Sequence, residues 1–339
     1  MANVDKENTA VLAERGEKKH HTSIRTARII SNTVIYILLV VMVVIWLTPI
    51  AWIVLQSFNA EIGSAGLTRL IPKEWGADNF YDLFWNVYRD ARVDGVNHYV
   101  ASNYVFFWRV TESGQVILGS FFITLIVAIV AALISSLFVL MTSYAFSRLR
   151  FKGRTLMMRI ILLMGMFPGF LGLIVLYWFF KILGLEGDKA IWALIITYSG
   201  GAGMGYYIMK GFFDTISKQI DEAAMIDGAT RAEIFWKITL PLSKPIIVYQ
   251  ILTSFMGPWG EFITARYLLG SPQNYQGDTI TTVAVQLQQM ITSTTDGLRG
   301  HYWGQFFAGA VIVAIPTSIL FIMMQRYYVS GVTGGAVKG

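Results

Sequence analysis

Residues able to do chemistry are few in this chain. There is no cysteine among 339 residues, which removes thiol nucleophiles, thiolate metal sites and disulfides. The four histidines, His20, His21, His98 and His301, all lie outside the interiors of the apolar runs, so neither a histidine metal centre nor a Ser-His pair is suggested. One carboxylate, Glu261, sits inside an apolar run, about 22 Å from its start at the helical rise. An intramembrane acid is a functional candidate by default. The sequence leaves open a structural or gating contact, a sugar contact and a proton-coupling role. Pro168 and Trp259 join it as gating or substrate-path candidates. Tyr177, Tyr198 and Phe262 offer aromatic faces, although aromatics in spans pack more often than they bind.

A second stretch stands out because it is polar. DEAAMIDGATRAEIFWKITLPL, residues 221–242, lies between two apolar runs. Ser217 is a good N-cap for a helix starting at Lys218. Gly228 suits the left-handed position that ends such a helix, because it has no Cβ. Thr230 followed three residues later by Glu233 is a capping box that opens a second helix, and Pro241 closes it. Ile216, Ile220, Ala223 and Ala224 share one side of the first helix, at i, i+4, i+7 spacing. A helix of about ten residues is marginal alone and needs a partner surface. That surface is either the chain's own membrane domain or a separate protein, and the residues alone leave both open.

The elements that position these residues are apolar. The chain is 55% hydrophobic and 14% charged, with mean hydropathy +0.54, against roughly 25% charged residues in soluble domains. Six stretches are long enough to span, at 34–55, 116–141, 160–180, 190–209, 246–269 and 306–324. The first has no small-residue cleavage pattern after it, so a retained span is expected rather than a signal peptide. Of the 27 Lys and Arg, 18 fall in segments 1–33, 142–159, 210–245 and 325–339, and 9 in the alternate set. The positive-inside rule therefore predicts both termini, and the 214–245 loop, inside. The predicted fold is an all-α integral membrane protein. A tail at 1–30, polar and poorly ordered, precedes a membrane domain at 31–330, and 331–339 form a glycine-rich tail. Outside loops at 56–115 and 270–303 carry a short amphipathic helix and a brief helix at VAVQLQQM, respectively. Pro49, Pro168, Pro258, Pro316 and the glycine cluster at 199–205 interrupt the spans, a pattern suited to a path that changes shape.

The polar stretch then resembles a known signature. Glu222-Ala223-Ala224, three residues, Gly228, nine residues, then Ile238-x-Leu240-Pro241 is identified as the EAA motif of ABC importer membrane subunits. YAFSRLRFKGR at 144–154 is similar to the segment after the second span of carbohydrate-type permeases. QRYYVSGVTGGAVKG at 325–339 and MFPGFLGLIVLY resemble maltose/maltodextrin permease subunits.

The resemblance implies a type I importer permease fold and an EAA coupling helix. It implies a cytoplasmic ATPase dimer holding ATP and Mg, met by Glu222, Ala223, Ala224, Asp227, Gly228, Ile238, Leu240 and Pro241. It further implies a tail reaching that ATPase through Gly334, Gly335 and Lys338, a second permease subunit, and an extracytoplasmic sugar-binding protein facing 270–303. The expected place is the bacterial inner membrane, with no nucleic acid partner. No G-x-x-x-x-G-K-[ST] occurs, so this chain is expected to be a transport subunit rather than an enzyme, with no cofactor of its own. The rivals are a permease for another oligosaccharide, an ion-coupled secondary transporter, which predicts more buried charges or repeated broken helices, and a membrane-embedded enzyme.

Overall fold

The structure is a computed structural model that describes residues 2–62, 69–93, 96–102, 104–110, 114–166, 169–200, 203–269, 280–292 and 302–336. The chain divides into two units, Met1–Leu55 and Gln56–Gly339. The first consists of helix α1, Ala2–Ser57, up to Leu55, and the helix runs through Pro49. The N-terminal residues expected to be poorly ordered are therefore helical, in keeping with a segment rich in Ala, Glu and Lys.

The second unit opens with α2, Asp78–Trp85, the expected amphipathic helix. Two antiparallel hairpins follow: β1, Val87–Val93, with β2, Val96–Ala101, and β3, Trp108–Val110, with β4, Val116–Leu118. The all-α expectation is corrected here. Val, Tyr and Trp favour the pleated, half-exposed surface these strands provide. Buried Arg89 on β1 ties the region together, pairing with Asp82 at 3.1 Å and donating to Asn79 and to the Ala60 carbonyl.

Helix α3, Ser120–Arg148, has no Pro or Gly and is the hub of the unit. Small residues recur along its buried face, Thr124, Ala128, Ala131, Ala132, Ser135, Ser136 and Ser143, beside larger Ile123, Val127, Val139, Leu140 and Phe146. Such a stripe lets neighbouring backbones approach closely where lipid offers no hydrophobic driving force. Against it pack α6, Ala190–Ser199; α7, Gly203–Thr215; α11, Lys244–Gly260; and α13, Val283–Thr292. The opposite face, with Leu133, Leu137 and Phe138, is exposed. Three apolar clusters line α3 from end to end, around Trp259 and Phe106, around Leu194 and Ala265, and around Val139 and Phe213.

Among the described residues, three helical segments are long and apolar enough to cross a bilayer: Arg28–Ser57, α3, and Trp303–Tyr327 within α14, Trp303–Ala336. Helices α4, Arg154–Met166, and α5, Gly169–Ile182, make a fourth if they form one bent span. The remaining two expected spans are divided. The 190–209 run is split between α6 and α7, and α7 continues to Thr215. The 246–269 run parts at Glu261 and Phe262 into α11 and α12, Ile263–Leu269. The second expected span starts later than its apolar run, because Val116–Leu118 is a strand.

Candidate functional site

The polar stretch folds as two helices around Gly228. Helix α8, Lys218–Ile226, is capped by Ser217, whose Oγ accepts from the Gln219 amide. At its other end the Ala229 amide donates to the Ala224 carbonyl at 2.9 Å and the Gly228 amide to Met225 at 3.1 Å, the paired bonds of a Schellman turn. Gly228 holds φ at +86°, in the region that favours glycine. Helix α9, Arg231–Glu233, opens on a complete capping box: the Glu233 amide donates to Thr230 Oγ1 at 3.2 Å, and the Thr230 amide to Glu233 Oε2 at 3.0 Å. Bonds from the Thr230 amide, Lys237 and the Thr230 hydroxyl hold the Glu233 carboxyl down at about 2.

The chain continues as a wider π turn, Ile234–Thr239, into α10, Leu240–Leu242. Pro241 does not end the helix where expected. The π turn hands the Leu240 amide to Phe235, and Pro241 sits in the first turn of α10, where a missing donor is tolerated.

The burial of α8 departs from that of a helix resting on its own apolar stripe. Its buried residue is Asp221; of the four residues expected on the packed side, Ile216 and Ala224 are half-buried, while Ile220 and Ala223 are exposed. At 100° per residue, Glu222, Ala223 and Ile226 turn away from Asp221, Ala223 and Ile226 most fully. Ile226 is 87% exposed. Among the described residues, Lys218 and Glu222 form no ion pair, and Asp227 is exposed. The second half is better anchored. Phe235 is buried against Tyr144 at 4.8 Å between ring centroids, and Leu240 packs against the same cluster. Ile238 is half-buried.

Asp221 meets Arg148, the last residue of α3, at 2.9 Å. Sequence reasoning missed this pair. Its signal was an arginine at the end of an apolar span facing an acid in the next inside loop, which spacing alone cannot match.

Glu261 lies in the break between α11 and α12. Its carboxylate accepts from the Thr264 amide at 2.9 Å and from the Tyr198 hydroxyl at 2.8 Å. It thus caps α12 and fastens it to α6. Arg266 turns away and donates to Gln288 Oε1 at 2.7 Å. Trp259 is buried between Phe121 and Phe255, with ring centroids 5.4 and 5.9 Å away. Pro168 and Lys338 lie outside the described residues; Gly334 and Gly335 fall within the backbone of α14.

The profile of a family described as "Binding-protein-dependent transport system inner membrane component" matches residues 139–333. The chain belongs to this family. It is 35% identical over 305 residues to the galactooligosaccharides transport system permease protein of Bacillus subtilis, covering 90% of this chain and 94% of that one. To the maltodextrin transport system permease protein of Streptococcus pneumoniae it is 30% identical over 322 residues, covering 94% of this chain and 100% of that one. The crystal structure of a bacterial ABC transporter involved in the import of the acidic polysaccharide alginate superposes with TM-score 0.61 at 23% identity, over 88% of this chain and 96% of that one, and this shows the fold. As an inner membrane component, the chain is a membrane protein whose relatives are transport permeases. The family segment starts on α3 at Val139, so Arg148, the twin helices and Glu261 fall within it and both hairpins outside it.

Proposed function

We propose that this chain is the pore-forming permease subunit of an ATP-driven oligosaccharide importer. It crosses the membrane six times with both termini inside, counting α4–α5, α6–α7 and α11–α12 as interrupted spans. It works beside a second permease subunit. The sugar arrives on an extracytoplasmic binding protein that faces 270–303, and a cytoplasmic ATPase dimer supplies ATP and Mg. The observation that carries this reading is the outward face of α8. A nine-residue helix buries an acid and leaves Glu222, Ala223 and Ile226 uncovered. That surface fits a groove on a partner: small Ala223 allows close approach, Ile226 supplies apolar area, and Glu222 supplies a charge for a basic group. Asp227 and Gly228 set the turn, and Ile238, Leu240 and Pro241 join the loop to α11. The tail at Gly334, Gly335 and Lys338 is the second contact with the ATPase.

The names of the relatives favour a neutral oligosaccharide, either a maltodextrin or a galactooligosaccharide. Glu261 supports gating over proton coupling, because a helix cap and a tyrosine already occupy its oxygens. The test is reconstitution with the cognate subunits. Stimulated ATP hydrolysis and uptake of labelled maltotriose or galactotriose are expected for the native chain. Glu222→Lys should release the ATPase while the spans still insert. Binding-protein-stimulated hydrolysis that survives Glu222→Lys overturns the docking role.

A further inference from the structure

The last turn of α3 grips both halves of the twin-helix loop. Three residues near its end, Tyr144, Ser147 and Arg148, do the gripping. Arg148 Nε lies 2.9 Å from Asp221 on α8, and its Nη2 donates to the Ile216 carbonyl just before α8 at 2.9 Å. Ser147 Oγ donates to Asp214 at 2.6 Å. On the other side of Gly228, the Tyr144 hydroxyl reaches the Arg231 carbonyl at 3.4 Å, and its ring packs on Phe235. Apart from its covalent flanks, α8 has one buried side chain, and that side chain is on Arg148.

The pair is enclosed but not saturated. The side chain of Arg148 is 4% exposed and that of Asp221 12%. Arg148 Nη1 and Asp221 Oδ1 are buried without a hydrogen bond, and the Nε contact is held by charge rather than by an aligned bond. The guanidinium is held at two points, Nε by the charge of Asp221 and Nη2 by the Ile216 carbonyl, so α8 and the chain that leads into it are both tied to the end of α3. Burying a pair that is not fully hydrogen-bonded is costly, so stability alone is a weak reason for its presence. Helix α3, on which Arg148 ends, touches α6, α7, α11 and α13, so a displacement delivered there reaches most of the bundle.

We infer that the Arg148–Asp221 contact is the joint through which movement of α8 enters the membrane-spanning helices. Both are positioning residues, distinct from the face that docks. The inference rests on the reading of α8 as the ATPase-docking helix. It predicts that breaking the joint separates hydrolysis from transport without detaching the ATPase.

The experiment uses the full complex in proteoliposomes, with the labelled maltotriose or galactotriose that the native complex accumulates. Asp221→Asn and Arg148→Gln should each keep the ATPase bound, and lower uptake per ATP by roughly tenfold, the scale of coupling-network substitutions. The exchanged pair, Asp221→Arg with Arg148→Asp, should recover most of the ratio. Three results would overturn the inference. One is an unchanged uptake per ATP in both single variants. Another is loss of ATPase binding in step with uptake, which makes the contact part of docking. The third is an exchanged pair no better than the singles although assembled, which makes it merely structural. Should a single variant fail to assemble, Asp221→Glu and Arg148→Lys keep the charges and change the geometry, with a smaller loss expected and an unchanged ratio refuting the joint. Glu222→Lys separates the two failures. If it leaves the ATPase bound, the docking reading falls; if it releases the ATPase while Asp221→Asn leaves the ratio intact, the joint alone falls.

Discussion

Gly228 permits a clean test of the twin-helix geometry, because substitution there is strained by torsion and not by contact. Its φ is +86°, and a Cβ built on it meets nothing within 4 Å. Alanine therefore clashes with no neighbour and bears only the left-handed backbone penalty, roughly 1–2 kcal/mol. Helix α8 has nine residues and one buried side chain, so little packing resists the strain, and it should emerge as opening of the helix end. A penalty of that size raises amide exchange by about 5- to 30-fold at the Asp227, Gly228 and Ala229 amides, if local opening governs exchange.

Asparagine tolerates this region better and should exchange more slowly than alanine. Proline should be worst, since it fixes φ near the opposite sign and deletes the amide that donates to Met225. The assay is hydrogen–deuterium exchange on peptides covering 217–229, with the protein in lipid nanodiscs. Alanine exchanging like glycine, or asparagine faster than alanine, refutes the torsional argument. A transport defect in Gly228→Ala with unchanged exchange would move the role of Gly228 from the turn to a partner contact.

Three other outcomes are expected. The Glu233 carboxyl, held at about 2 against an ordinary 4.5, contributes stability that is present above 4.5 and lost as pH falls through about 2; Thr230→Ala should flatten this acid limb in thermal unfolding scans, and an unaltered limb would assign it to other groups. Gly304→Ala should destabilise the chain by roughly 1–3 kcal/mol, because the new methyl overlaps Asn79; Asn79 is held by bonds to the Ser57 and Asn59 carbonyls and to Arg89 and cannot step aside, and a thermal midpoint equal to the native one would contradict this. Glu261→Gln should keep near-native uptake, since an amide oxygen still accepts from Thr264 or Tyr198, whereas Glu261→Ala loses both bonds; loss of uptake in Gln as severe as in Ala would favour an obligatory proton role.

What the sequence disclosed was local. Ser217, Gly228, Thr230 and Glu233 lie within a few residues of the amides they serve, so spacing alone announces their caps. The apolar runs were legible as membrane segments by length, and so were two of their interruptions, since α4 and α5 lie on either side of Pro168 and α6 gives way to α7 at the glycine cluster; Pro49 and Pro316 instead lie inside continuous helices. Pro258, which looked like a break, lies inside α11, while the chain leaves the helix at Glu261, whose side chain caps α12. The first hairpin had a signal of its own: Asp94-Gly95 between Val-rich stretches is a strong hairpin turn dipeptide. The Arg148–Asp221 pair was beyond reach, because it joins residues on separate elements and helical phase pointed to the alanines instead.

That inversion of phase bears on why α8 has the composition it does. A short surface helix normally hides its apolar stripe and displays its charges. Here the hidden residue is Asp221, whose burial is tolerable only because Arg148 waits at the end of α3. A mutation to Leu at 221 would leave Arg148 buried without its counter-charge. The arrangement gives the inward face of α8 one buried charged contact beside half-buried Ala224 and leaves Glu222, Ala223 and Ile226 exposed. A helix built only to be stable would make the opposite choice at both faces. On the proposed reading the two departures belong together, as the two ends of one lever: Glu222, Ala223 and Ile226 would receive the force and Asp221 would pass it on.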